Sequence, residues 1–172
     1  MDNAPQQASA PATKNLEQAP LEFKRLTQAD AATLFAFRNT EFPHLGDIQP
    51  VAQEYQTRES IEAVLAVSSD RYIYGVYMDG KLIGVVAGVR KEGTQTPYEI
   101  AGYVTPAERG KKISNRALEY LKNETPLKYE QWYAQTTFGN SPALKMLRSM
   151  GFENVGFEGT EAFFIKAPDG TA

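Results

Sequence analysis

The sequence predicts an α/β (α+β) domain, a mixed central sheet of about seven strands flanked by four helices. Three stretches carry that prediction. RYIYGVYMDGKLIGVVAGVR holds Asp79-Gly80 between two β-rich runs, and this pair supplies the positive φ angles that a two-residue type I′ hairpin needs. YEIAGYVTPAERGKKISNRALEYL reads as a strand, a basic turn and an amphipathic helix. NSPALKMLRSMGF reads as a second helix, capped by Ser141, with Pro142 at its first position and Gly151 ending it.

Residues 1–20 are rich in Ala, Pro and Gln, with Leu16 the only large aliphatic residue after Met1. Burial there cannot offset the entropy of ordering, so a disordered tail is expected, followed by one domain over 21–167 and a short C-terminal tail over 168–172. LEFKRL alternates apolar and polar residues as a half-buried strand does, and Thr27 and Asp30 then have capping-box spacing ahead of a helix through ADAATLFAFRN. Two prolines, a glycine and the lack of periodicity make 40–56 a loop. Thr57 is placed to cap a helix over RESIEAVLAVSS, whose buried stripe is Ile61, Val64 and Leu65. The hairpin strands cover 72–78 and 81–90, and a loop over 91–97 leads into a third antiparallel strand, 98–104, confined by Pro97 and Pro106. Ile113, Ala117, Leu118 and Leu121 form the apolar face of the next helix. LKYEQWYAQTTF, 127–138, is an aromatic and Thr-rich strand that runs parallel to 98–104 because a helix intervenes. The last portion splits at Gly159 into two short strands.

Composition excludes several kinds of chemistry. The 172 residues suffice for one domain with a core that needs no disulfide or structural metal. Cysteine is absent and His44 is the only histidine, which excludes thiolate nucleophiles, Cys/His zinc sites and histidine-rich metal clusters. Catalysis must then use carboxylates, hydroxyls, lysines or water. With 18 Lys+Arg against 21 Asp+Glu the net charge is −3, which argues against nucleic acid as a general partner. No apolar run approaches the ~20 residues of a membrane span and the N-terminus lacks the apolar core of a signal peptide, so a cytoplasmic protein with no membrane partner is expected.

The basic turn is the first functional signal. Arg109, Gly110, Lys111 and Lys112 bring unpaired backbone N–H groups, the positive end of a helix dipole and cationic side chains together, where a phosphate or pyrophosphate would be held. At these residues the chain resembles the GNAT superfamily of N-acetyltransferases, whose acetyl-CoA pyrophosphate loop follows Arg/Gln-x-x-Gly-x-Gly/Ala between strand and helix. Val104, Pro106, Arg109 and Gly110 stand where such sequences often have them, while Lys112 replaces the first pattern glycine and Ser114 the second. Lysine keeps its N–H and adds charge, but it adopts a positive φ only at a cost. A second stretch agrees: Asn140, Ala143, Gly151 and Phe152 match the family's Asn-x-x-Ala/Ser, apolar helix and Gly-Phe. The element order over roughly 20–167 is also that of the GNAT acyl-CoA N-acyltransferase fold.

The resemblance implies an acetyl-CoA co-substrate and no metal. It carries Val104, Arg109, Gly110, Lys111, Lys112, Ile113 and Ser114 over as cofactor contacts, Asn140 as a contact to the pantetheine arm, and the main-chain N–H groups of Tyr103 and Val104 as donors to the oxyanion. Glu99 is the expected base, acting through water. Period-two alternation groups it with Ala101 and Tyr103, opposite Ile100, Gly102 and Val104 on the core side. Tyr103 or Tyr133 would return a proton to the thiolate, a role that direct protonation by water also fills. The glutamate and tyrosine that some family members use elsewhere map to Gln135 and Leu147, which do no acid–base work. His44 is a further titratable group, in a loop. Glu41, Asp47, Glu54, Glu59, Glu62, Glu158 and Glu161 make an acidic surface suited to an amine acceptor, either a small molecule or a protein. A homodimer is left open. The alternative to an N-acetyltransferase is a non-catalytic member that binds acyl-CoA or a partner.

Overall fold

The computed structural model describes residues 20–46 and 57–170. Apart from Pro20, the predicted N-terminal tail lies outside the described residues, as do Asp47 and Glu54. Strands β1 (Leu21–Arg25), β2 (Arg71–Met78), β3 (Lys81–Val89) and β4 (Tyr98–Val104) form an antiparallel meander. β4 then pairs in parallel with β5 (Trp132–Thr137), and β7 (Glu161–Lys166) lies antiparallel between β5 and β6 (Glu153–Glu158). The sheet order is therefore β1-β2-β3-β4-β5-β7-β6. Asp79 and Gly80 take φ of 51° and 74° and join Met78 to its partner Lys81, as the type I′ turn requires.

Each face of the sheet carries a core. Helices α1 (Ala31–Gly46) and α2 (Arg58–Val64) cover one face, where Leu34, Ile61, Leu65 and Ile73 are buried. Helices α3 (Ile113–Glu124) and α4 (Ser141–Ser149) cover the other, with Leu121, Leu127, Trp132 and Phe164 essentially inaccessible to solvent. Each such side chain contributes roughly 2 kcal/mol by leaving water. The predicted alternation in β4 holds: Ile100 and Val104 enter the α3 core while Tyr103 meets Phe37 of α1 on the opposite face.

Several boundaries differ from the sequence reading. The expected loop from Thr40 begins as helix, since α1 continues to Gly46 with Pro43 inside it. There the Thr40 hydroxyl donates to the Ala36 carbonyl, and the Arg38 guanidinium lies over the rings of Phe35 and Phe42. Helix α2 stops at Val64, short of the predicted Ser-rich end. The expected strand at 127–138 starts only at Trp132, because Pro126–Tyr129 is a 3₁₀ turn capped by the Thr125 hydroxyl. Asn140, rather than Ser141, caps α4 by accepting from the Ala143 N–H. At the far end of α4 the Gly151 N–H reaches Arg148 O and the Phe152 N–H reaches Leu147 O, with Gly151 at φ 87° closing the helix as expected.

The predicted C-terminal tail is anchored where it is described. The Asp169 N–H donates to Lys128 O, and its carboxylate accepts from the buried Lys166 at 2.7 Å and lies 3.7 Å from Lys122. Among the described residues no helix is long and apolar enough to cross a membrane.

Candidate active site

β4 and β5 share only two rungs, Tyr98 with Trp132 and Glu99 with Tyr133, and then diverge. Backbone direction fixes what faces the opening. The Tyr98 N–H donates to Gln131 O on the β5 side, and the Thr105 N–H donates to Ile83 O on the β3 side. Alternation along the strand therefore turns the peptide groups of Ile100, Gly102 and Val104 toward β5 and that of Tyr103 toward β3; the Glu99–Tyr133 rung engages the Ile100 N–H, and Gly102 and Val104 lie beyond that last rung, where no strand pairs with them. Of the two expected main-chain donors, Val104 faces the opening and Tyr103 does not. The opening is a narrow cleft of about 180 Å³ lined by β4 from Glu99 to Val104, by Ser114 and Ala117 of α3, and by Gln135, Asn140 and Leu147.

The basic turn closes one end of this cleft. Gly110 has φ 79°, and Lys112, the N-cap of α3, has φ 58° and ψ 22°. Lys112 thus holds the left-handed conformation for which the family pattern uses glycine. The first α3 bond, from the Arg116 N–H to Lys112 O, leaves the N–H groups of Ile113 and Ser114 outside the helical ladder at the positive end of the dipole. Not all the predicted cations point there. Lys111 pairs with Glu108 at 2.7 Å, and Arg109 folds back, its Nε 3.3 Å from Val104 O and its guanidinium over the Tyr103 ring. Lys112 is exposed and makes no ion pair among the described residues. The Asn140 Oδ1 is engaged by its capping bond, which leaves Nδ2 as its donor at the cleft.

Glu99 is exposed at the point where the strands part, beside Tyr133. Burial, then the charges of Glu99 and Glu161, pushes the Tyr133 phenol up from its ordinary range. Its hydroxyl donates to Gln135 at 3.1 Å. The Tyr103 hydroxyl donates to Glu41 Oε2 at 2.9 Å. Burial and this carboxylate push the phenol up to about 12, with Arg109 opposing them. Sequence reasoning put Glu41 in a general acidic surface and missed this bond. The two residues are 62 positions apart, and nothing local in the sequence marks the register of α1 against β4. His44 is exposed on α1 instead of in a loop. Of the remaining acidic residues, Glu59 is exposed on α2, Glu62 pairs with Arg58, and Glu158 stands opposite Glu161 across the β6–β7 turn. Gln135 and Leu147 do line the cleft, as mapped.

Comparison with known proteins points the same way. The sequence profile described as the acetyltransferase (GNAT) family matches residues 31–152. No curated protein matches the chain. Solved structures do. An acetyltransferase of the GNAT family from Streptococcus pneumoniae superposes with a TM-score of 0.72 at 16% identity, covering 87% of this chain and 99% of its own. The ribosomal-protein-S5-alanine acetyltransferase from Vibrio fischeri gives 0.70 at 16% identity, covering 87% and 93%. The Paia N-acetyltransferase from Thermoplasma acidophilum, in complex with coenzyme A, gives 0.65 at 19%, covering 86% and 99%. At such identities the likeness establishes the fold.

Proposed function

The chain belongs to the GNAT acetyltransferase family, and from that premise we propose that it is an acetyl-CoA-dependent N-acetyltransferase acting on a primary amine by direct attack. The observation that carries the proposal is the unpaired edge of β4. Peptide groups at Gly102 and Val104, beyond the last β4–β5 rung, face a cleft that ends in the basic turn, and unpaired backbone groups of this kind take a partner. The amide-bearing arm of coenzyme A fits that edge. The N–H groups at Lys112, Ile113 and Ser114, with Gly110 and Lys111 shaping the turn, would hold its pyrophosphate, and Asn140 Nδ2 and Arg109 border the path. Bound acetyl-CoA supplies the acetyl group as a thioester.

The chain's own residues divide the remaining work. Glu99 takes the proton from the incoming ammonium through water, and the Val104 N–H, with that of Gly102, donates toward negative charge developing at the thioester oxygen. Tyr103 lies four residues from Glu99, about 13 Å along a strand, with exposed Ala101 midway. The reacting atoms have room over Ala101, with the base on one side and the phenol on the other. A phenol at about 12 keeps its proton at neutral pH and would serve as a hydrogen-bond donor beside the leaving sulfur, which takes its proton from water while the proton removed at Glu99 passes to solvent. The acidic side chains on this face, Glu41, Glu99 and Glu161, favour a cationic acceptor.

The test is calorimetric titration with acetyl-CoA and CoA, followed by an amine screen with wild type and Glu99→Gln. Micromolar binding is expected, with turnover in the variant lowered by ~10²-fold or more at unchanged acetyl-CoA affinity. An unchanged rate removes Glu99 from the mechanism. Binding without turnover of any amine favours the non-catalytic reading, and absence of binding at millimolar ligand sinks both.

A further inference from the structure

A second depression opens beside the cleft, and Glu99 is the one residue among those described that lines both. Its other walls are Val89, Pro97 and the Tyr133 ring, with Arg90, Lys91 and Thr96 at the far side. Its volume of about 420 Å³ falls in the range of sites for small molecules, roughly 300–1,000 Å³. An amine seated here would present its nitrogen to the cleft at Glu99.

The two cations in this depression are not equivalent. Arg90 is engaged. Its Nε lies 2.6 Å from Asp70 and its Nη1 3.9 Å from Glu130, and its guanidinium stacks over the Tyr98 ring at 4.5 Å. Lys91 is exposed and makes no ion pair among the described residues, and the neighbouring Glu92 does not line the depression. Val89 is the β-ladder partner of Glu99, and Lys91 lies two residues beyond it, on the order of 7 Å along the chain. The depression is therefore bordered by Glu99 at one end and by exposed Lys91 at the other, with Val89, Pro97 and the Tyr133 ring between them.

We propose that the acceptor is a dipolar amine, with its reacting nitrogen at Glu99 and a carboxylate several bonds away held by Lys91. This rests on the acetyl-transfer reading of Glu99, and it narrows the acceptor from amines in general to amines that carry an anionic group. A carboxylate at that distance gains a charge-assisted contact, whereas a second ammonium there meets Lys91 with like charge.

The test compares 5-aminopentanoate with pentylamine, two probes that differ in the carboxylate. Each is titrated into the full-length protein saturated with CoA, and binding is followed calorimetrically and by NMR shifts near Lys91. Expected are at least tenfold tighter binding of 5-aminopentanoate and loss of that preference in Lys91→Glu. Equal affinities, a preference that survives in Lys91→Glu, or no binding of either probe overturns the proposal. Turnover with acetyl-CoA is scored separately. A Lys91-dependent binding preference without turnover overturns the acetyl-transfer reading and leaves the subsite standing. Equal turnover of both amines without a binding preference does the reverse.

Discussion

At the scale of single residues, Lys112 shows what the pyrophosphate turn asks of the chain. Its φ of 58° is costly for a residue with a Cβ, by about 1–2 kcal/mol, yet the backbone holds it. Lys112→Gly and Lys112→Ala both remove the ammonium, and only the first relieves the strain. The glycine variant is expected to be more stable than the alanine one by about 1 kcal/mol in urea denaturation. If acetyl-CoA binds more weakly to both, the ammonium contributes to holding the phosphates. Sequence reading identified the glycine pattern and the departure from it. It could not say whether lysine would accept the conformation, because that depends on the surrounding turn. Tyr103 gives a second prediction. An ultraviolet titration should lose a late-titrating phenol, at about 12, in Tyr103→Phe. Glu41→Gln should bring that titration down toward 10 without reaching it, because burial, the larger cause, remains. The folded state holds this proton longer than the unfolded chain does, so the associated stability is lost as pH rises from about 10 to 12.

At the scale of elements, local chemistry was legible wherever a short motif settles the backbone. Asp79-Gly80, Thr57 and Gly151 each do so, and the structure places a turn, a cap and a helix stop at them. The misreadings fall where tertiary contacts override local signals. Pro43 suggested a loop, yet α1 continues past it to Gly46, with Arg38 over the Phe42 ring alongside. The aromatic content of 127–138 suggested one strand, but Leu127 is drawn into the α3 core and its carbonyl accepts from the Trp132 indole. The start of β2 is tied to the end of β3 and the loop after it by Asp70, which accepts from Arg90 at 2.6 Å and from the Gly93 N–H at 3.1 Å. Those bonds hold its carboxyl below the usual range. Asp30 is lowered as well, since its bonds from Lys24 and Thr27 outweigh the opposing effect of burial. Both carboxylates stabilise the fold above their unfolded pKa, and that stability disappears as pH falls through their lower folded values. Urea midpoints measured from pH 7 to 3 should therefore drop below about pH 4. Asp70→Asn should start lower at neutral pH and fall less steeply.

At the scale of the whole molecule, the class, the element order and the parallel step from β4 to β5 were all readable from the sequence. The two rungs after which these strands part were not, because strand divergence depends on how α3 and α4 pack beneath them. Leu121 lies fully buried in that packing, and Leu121→Ala should cost about 2–5 kcal/mol of unfolding free energy while sparing the fold class. A ligand that binds only the folded protein should raise its stability by about 2.7 kcal/mol at a hundredfold excess over its dissociation constant. A thermal-shift series in acetyl-CoA checks this. Hydrogen exchange at Gly102 and Val104 is expected to slow in the same series.

The seam between β4 and β5 also divides the chain in time. Every ladder of the first four strands lies within residues 21–104, and every ladder of the last three within 132–166, with only Tyr98–Trp132 and Glu99–Tyr133 joining the two groups. During synthesis the N-terminal meander can complete its pairing before β5 leaves the ribosome, and little of that pairing must later be undone. The edge left waiting is the one that, in the finished protein, remains available to a ligand.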